Sequence, residues 1–278
     1  MHLYRYSDQI LLQADGHWYH VPHRSWDELI NRSGLYQYLK DAYLEWQMVA
    51  DIPTQTPLAP LGEQEVWASG VTYQRSKEAR MEEAKEAGGG DFYDRVYDAD
   101  RPEIFFKATP HRVVGPNGDL RIRQDSTWDV PEPELALFVC SAGTIEGYTV
   151  GNDMSSRSIE GENPLYLPQA KTYDACAGLG PCLYVPAEPI DPKSLITLRI
   201  MRSGALAFEE SIELSRMKRR LPELVDYLYR ECSFPHGCFL MTGTGIVPPD
   251  SFTLQAGDEV EIEIQHIGIL KNTIVSKA

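Results

Sequence analysis

Hydrophobic and polar residues alternate with a period of two over much of this chain. The clearest run is Glu259 to Ile264, EVEIEI, where Val260, Ile262 and Ile264 fall on one face of a half-buried strand. Leu198 and Ile200 against Arg199 and Met201 repeat the pattern, as does RPEIFFKA over Arg101 to Ala108. Shorter strand-like runs occur at Leu3 to Tyr6, Ile10 to Leu12, Trp18 to Val21 and Val66 to Ala68, the second and third separated by Asp15-Gly16. Helical spacing is rarer. Met217, Leu221, Leu224, Val225 and Leu228 predict an amphipathic helix over 216–231, with Lys218 to Arg220 on its solvated side. RSKEARMEEAKEA, 75–87, is strongly helix-forming but poor in apolar residues, and Gly88-Gly89-Gly90 ends it. A polar helix beside three glycines suits a mobile lid, and equally an exposed helix and a loose loop. Ser25-Trp26-Asp27-Glu28 is a capping box that opens a helix running toward Gln47. The class is α+β, mostly β. The Pro-rich stretch from Ile52 to Gly62 divides the chain into a small N-terminal unit, 1–62, and a main domain, 63–278.

One stretch combines this strand pattern with chemistry. In WDVPEPELALFVCSAGTIEGYTVGND, Trp128 to Asp153, Glu132 and Glu134 stand two apart and share a strand face. Ser141 to Thr144 reads as a hairpin turn, and Thr144 to Asn152 as the returning strand. A turn centred on Ala142-Gly143 brings Asp153 opposite the two glutamates. Three converging carboxylates repel one another unless a cation sits among them, and oxygen-only ligands suit Mg²⁺, Mn²⁺ or Ca²⁺. The other reading is a row of solvated acids on an exposed strand.

Charge and composition narrow the function classes. The 278 residues carry a net charge of −15, which argues against a general nucleic-acid surface and against anionic membranes. No run reaches membrane-spanning length and the N-terminus has no signal-peptide core, which predicts a cytoplasmic protein. The five cysteines, an odd number without a dense framework, predict reduced thiols. Cys232, His236 and Cys238 fit no standard zinc spacing.

Elsewhere, the alternation of 101–108 puts Glu103, Phe105 and Lys107 on one face. On an extended strand Glu103 and Lys107 stand on the order of 13 Å apart, too far to pair, so each needs another partner or a role. MSSRSIEGENPLYLPQAKTYDACAGLGP, 154–181, is a long polar loop, and folding back it brings Lys171 to the mouth of the carboxylate site. Thr242-Gly243-Thr244-Gly245 is a tight turn able to aim N–H groups at an anion.

The order of these features resembles the fumarylacetoacetate hydrolase superfamily. Gly70-Val71-Thr72-Tyr73, Phe105-Phe106-Lys107, Glu132 to Leu135, Gly147 to Asp153, Lys171 with Asp174 and Gly180-Pro181, Thr242-Gly243-Thr244, and the closing AGDEVEIEI carry the likeness over roughly 65–275. RPEIFFKATP, PEPELAL and EGENPLYLPQAK are similar to its members that dehydrate 2-dehydro-3-deoxy sugar acids. The resemblance implies a mixed β-sandwich roll, and Mg²⁺ (or Mn²⁺ or Ca²⁺) on Glu132, Glu134 and Asp153. It implies dehydration of 2-dehydro-3-deoxy-D-arabinonate or a related pentonate to 2,5-dioxopentanoate by a homodimer or homotetramer. Glu103 and Lys171 are the candidate catalytic groups; Thr244, Gln169, Lys107 and Tyr73 are candidates for substrate contacts. Where hydrolase members carry a water-activating His after the G-x-x-Y segment, this chain has Ser76, which favours elimination over hydrolysis. The remaining alternatives are acylpyruvate hydrolysis or 2-oxo acid decarboxylation on the same metal site, and a non-catalytic sugar-acid-binding protein.

Overall fold

The computed structural model describes residues 1–50, 53–83 and 90–277. The N-terminal strands are β1 (His2–Arg5), β2 (Ile10–Ala14) and β3 (His17–His20), and the turn between β2 and β3 puts Asp15 and Gly16 at positive φ, 48° and 78°. The N-cap half of the box forms: Ser25 Oγ accepts from Glu28 N at 3.3 Å and opens α1 (Trp26–Ile30). The helix does not continue toward Gln47: it ends at Ile30, with Asn31 leaving the helical region at ψ 66°, and Gly34, φ 72°, turns the chain into α2 (Leu35–Ala42), which the short β4 (Met48–Val49) follows. Then come β5 (Glu65–Gly70), α3 (Gln74–Glu83), α4 (Gly90–Asp98), β6 (Glu103–Ala108), β7 (Val113–Val114), β8 (Asp119–Ile122) and β9 (Asp129–Val130). Of the glycines expected to end the polar helix, Gly88 and Gly89 lie outside the described residues, as do 84–87.

The hairpin is β10 (Pro133–Val139) and β11 (Ile145–Asp153). The stretch expected as a long loop instead folds into β12 (Ser155–Ser156), α5 (Arg157–Glu162) and α6 (Leu167–Lys171), with Asn163 Oδ1 accepting from Leu165 N at 2.9 Å between the helices. β13 (Ala177–Tyr184), β14 (Leu195–Arg202), β15 (Ala205–Glu213), α7 (Leu221–Tyr229), β16 (Cys238–Met241), β17 (Glu259–Ile264) and β18 (Gly268–Ser276) complete the chain.

The main sheet runs β4-β3-β2-β1-β13-β11-β10-β16-β5-β6, with β7 also paired to β13. A second sheet runs β15-β14-β17-β18-β8. Most pairings are antiparallel, but β16 lies parallel to β5. Leu135, Leu137 and Val139 of β10 face the second sheet, packing with Leu198, Ile200, Ile262 and Ile264. Ala136 and Phe138, on the opposite face, share a core with Trp26, Leu29, Leu35 and Leu39 of the N-terminal helices. β10 is therefore buried along its whole length, which explains its unbroken run LALFV. Residues 1–62 extend this sheet, with Leu3 paired to Leu183, and contribute to the same core.

The helix expected over 216–231 is shorter. Leu214–Arg216 is a 3₁₀ turn, Met217 is extended and bridges to Tyr73, and α7 begins at Leu221 with Pro222 in its first turn. Lys218 and Arg220 are exposed, as expected, but Lys218 and the half-buried Arg219 also bind the C-terminal end of α4.

Candidate active site and metal centre

The hairpin register delivers the carboxylates. Gly143, φ 79°, turns the chain, its N–H donating to Cys140 O at 2.8 Å. Pro133 faces Asn152, so Glu132 faces Asp153, and Asp153 N donates to Glu132 O at 3.0 Å. Glu134 faces Gly151 on the same side of the sheet. Carboxylate oxygens of Glu132, Glu134 and Asp153 lie within 4.8 Å of one another, and all three residues are buried. The solvated-acid reading is thereby excluded.

Buried cations stand against this cluster. Lys171 Nζ, fully buried, donates to Glu132 Oε2 at 2.7 Å and Ser155 Oγ at 2.6 Å, and lies 3.4 Å from Asp153 Oδ2. It belongs to the floor of the site and not to its mouth. Lys107 Nζ pairs with Asp153 Oδ1 at 2.5 Å and donates to Met154 O at 2.9 Å and to Lys171 O. An ammonium has three protons, so these contacts leave Lys107 none for a substrate; its position is behind the carboxylates. Arg157 Nη2 donates to Glu132 Oε1 at 2.7 Å.

Glu134 makes no ion pair with these cations and accepts from Gly243 N at 2.5 Å. Burial first, then the charges of Asp153 and Glu132, pushes its pKa well above the usual carboxylate range. A divalent cation among the three carboxylates removes that repulsion, and an all-oxygen set suits a hard ion. The residues fit such an ion.

A fourth carboxylate, Glu103, lies further along the sheet. Ala136 pairs with Met241, Met241 with Ala68, and Gly70 with Glu103. β16 ends at Met241, and two residues further on the turn brings Gly243 N to Glu134 Oε2, so the chain between Glu134 and the Gly70–Glu103 pair passes through this turn. A Cβ on Gly70 would lie 2.0 Å from Glu103 Oε2, so the Glu103 side chain lies across Gly70. Because β6 is the edge strand, that direction is toward Glu134. Glu103 Oε2 is buried without a hydrogen-bond partner among the described residues. The expected shared face of Glu103, Phe105 and Lys107 forms, with the Phe105 ring 5.7 Å from Lys171 Nζ.

Tyr73 is buried at 1% exposure, and its hydroxyl has no partner among the described residues. Burial and the Glu134 charge raise its pKa, so it remains a neutral donor. Thr244 is buried; its hydroxyl donates to Ile246 O at 3.1 Å and accepts from Ile246 N at 3.2 Å. Gln169 is exposed, and its carbonyl accepts from Arg123 Nη1 at 3.1 Å. Ser76 Oγ donates to Tyr73 O at 2.8 Å and accepts from Tyr73 N at 3.3 Å, so it is engaged at the start of α3.

Sequence reasoning passes over Arg157, Ser155 and Gly70 as working parts. The turn at Thr242 to Gly245, expected to aim N–H groups at an anion, does so: Gly243 N meets the Glu134 carboxylate. Arg157 has one available signal: it lies four residues after Asp153 in a segment with few other cations. The role of Gly70 is intelligible only once the strand order is known.

A family model described as "Fumarylacetoacetate (FAA) hydrolase C-terminal" matches residues 65–275. The chain belongs to this family. Among its family relatives, a probable 2-keto-3-deoxyxylonate dehydratase of Haloferax volcanii is 50% identical over 218 residues, 78% of this chain and 74% of that protein. A 2-dehydro-3-deoxy-D-arabinonate dehydratase of Saccharolobus solfataricus is 46% identical over 224 residues, 80% of this chain and 74% of that protein. The fold matches a solved structure of 2-keto-3-deoxy-D-arabinonate dehydratase complexed with magnesium and 2,5-dioxopentanoate, with a TM-score of 0.86 and 36% identity. That match covers 100% of this chain and 99% of the other. The mostly β architecture expected from the sequence is the family fold. No helix among the described residues is long and apolar enough to cross a membrane.

Proposed function

We propose that this protein is a Mg²⁺-dependent hydro-lyase that dehydrates a 2-dehydro-3-deoxy pentonate, such as 2-dehydro-3-deoxy-D-arabinonate, to 2,5-dioxopentanoate. The observation that carries this reading is one buried cluster of Glu132, Glu134 and Asp153 held against Lys171, with Glu103 Oε2 buried and without a partner among the described residues further along the sheet. The named activities of the two dehydratase relatives, at 50% and 46% identity, support it. Glu132, Glu134 and Asp153 would hold the ion. When bound, it supplies Lewis acidity to the substrate's 2-oxo group, which acidifies the C3 protons.

The protein's own groups then have separate tasks. Glu103 takes a C3 proton, since its Oε2 is buried and has no competing donor. The electron pair left at C3 forms the C3–C4 double bond as the C4 hydroxyl departs. Lys171 commits two of its three protons to Glu132 and Ser155; the third, only 3.4 Å from Asp153 Oδ2 and not hydrogen-bonded to it, goes to the departing oxygen, which leaves as water. The unsaturated C5 alcohol is an isomer of 2,5-dioxopentanoate and reaches it by moving hydrogens alone. Tyr73 offers a neutral phenol donor to the substrate. With the Thr244 hydroxyl engaged by Ile246, that residue meets the substrate carboxylate through its main-chain N–H. Gln169, on the exposed side of α6, meets a substrate hydroxyl.

Elimination is preferred to hydrolysis because Ser76 is turned into the start of α3 and is not a base for activating water. The catalytic region is 63–278, and 1–62 is a small N-terminal unit that extends its main sheet and shares its core; the protein works in the cytoplasm, and the family resemblance implies a homodimer or homotetramer. The test is a Glu103→Gln variant assayed for turnover and for Mg²⁺-induced thermal stabilisation. The stabilisation should persist while turnover falls by at least 100-fold, about 2.7 kcal/mol of barrier. Undiminished turnover removes Glu103 from the mechanism.

A further inference from the structure

The chain leaves the main sheet after Gly70 and returns at Glu103, and these two residues are register partners. The intervening excursion, 71–102, is held at both ends by one short segment, Met217–Arg219. At the start, Met217 bridges to Tyr73, and Lys218 N donates to Thr72 O at 2.9 Å. At the end, Arg219 Nη2 donates to Val96 O at 3.0 Å and Ala99 O at 2.5 Å, and its Nη1 donates to Asp100 O at 3.2 Å. Glu223 orients the guanidinium through a 2.8 Å contact to Nη1. Lys218 Nζ donates to Tyr97 O at 2.7 Å, pairs with Asp98, and stands 4.1 Å from the Tyr97 ring centroid.

The last carbonyls of a helix have no intrahelical donors, and cations complete them favourably. Ordinary capping needs one such contact; this segment supplies a cluster, and the residues capped lie just before Glu103. The start of the excursion is also strained. Val71, a β-branched residue, has φ 54°, a conformation costing about 1–3 kcal/mol that persists only when its surroundings enforce it. The enforcing contacts are Thr72 Oγ1 donating to Thr242 O at 2.7 Å, Val71 packed with Met81, Val96 and Tyr97, and the Met217–Lys218 pairing.

We propose that Arg219 is a positioning residue that fixes the Glu103 carboxylate across Gly70 by tying the end of α4 to the segment that also holds Tyr73. The consequence for catalysis rests on the role of Glu103 given above. Arg219→Met removes the donors and keeps an unbranched side chain. It should lower kcat by roughly 10- to 100-fold, the scale of a small misplacement of a reacting group, with KM and the Mg²⁺-induced thermal shift changed less than two-fold. Hydrogen exchange should rise at the amides of 96–104 and remain as in the parent across 134–139 and 146–153. Arg219→Lys, which keeps the charge but reaches fewer carbonyls, should recover part of kcat.

Exchange reads the latch whether or not Glu103 is the base. Raised exchange at 96–104 with unchanged kcat would reject the catalytic coupling while leaving the latch in place. Parent-like exchange in Arg219→Met overturns the proposal outright. If Arg219→Met does not fold, Arg219→Lys decides: full kcat together with parent-like exchange contradicts it.

Discussion

At the scale of single residues, the site is a problem of charge. Glu132 and Asp153 have cationic partners at hydrogen-bond distance, whereas Glu134 has an N–H group and two nearby like charges. Glu134→Gln keeps an acceptor for Gly243 N and removes that repulsion. The metal-free variant should gain on the order of 1 kcal/mol over the parent at pH 7, while Mg²⁺ no longer raises its melting temperature. Thermal denaturation with and without Mg²⁺ checks both effects. A second acid makes a separate prediction. Burial raises Asp129 to about pH 6 from its ordinary 3.8, and its Oδ1 has no partner among the described residues. A carboxyl whose pKa rises on folding holds more protons folded than unfolded between those values, so its contribution to stability is lost as pH rises from 3.8 to about 6. Asp129→Asn has no such loss. Denaturant unfolding should show the variant gaining on the order of 1–2 kcal/mol on the parent between pH 3.5 and pH 7, the shift being discounted for solvent screening.

At the scale of elements, glycine and strand order decide what the carboxylates can do. Gly70 leaves room for Glu103, since a Cβ there would meet its Oε2 at 2.0 Å. Gly70→Ala should therefore displace the Glu103 carboxylate and lower kcat at least ten-fold. The triad is untouched, so Mg²⁺ binding by calorimetry should match the parent. The hairpin itself was legible from residue spacing, because both the face shared by Glu132 and Glu134 and the approach of Asp153 follow from local register. The burial of Lys171 was not, because α6 docks against β6 and β12, which are distant in sequence or too short to recognise. The start of α7 was misread for a related reason. Met217 has helical spacing from Leu221 but is drawn into an extended bridge with Tyr73, a tertiary contact that periodicity does not encode.

At the scale of the whole molecule, the chain builds one sheet from pieces far apart in sequence. β16 lies between β10 and β5, so a C-terminal strand joins the strand of Glu134 to the strands of Gly70 and Glu103. Alternation announced that there would be strands, and the ordered motifs announced the family, but the spatial order β10-β16-β5-β6 is non-local. An ion that binds only the folded site stabilises it by mass action, so saturation at 100 times Kd should add about 2.7 kcal/mol, and a chelator should remove it. The most direct test of the account is product formation. The protein is incubated with 2-dehydro-3-deoxy-D-arabinonate in Mg²⁺, in parallel with a chelated sample. The account predicts one 2,5-dioxopentanoate, detected as its aldehyde, per substrate consumed with Mg²⁺ and none after chelation. Pyruvate released by C–C cleavage, or turnover indifferent to chelation, would contradict it.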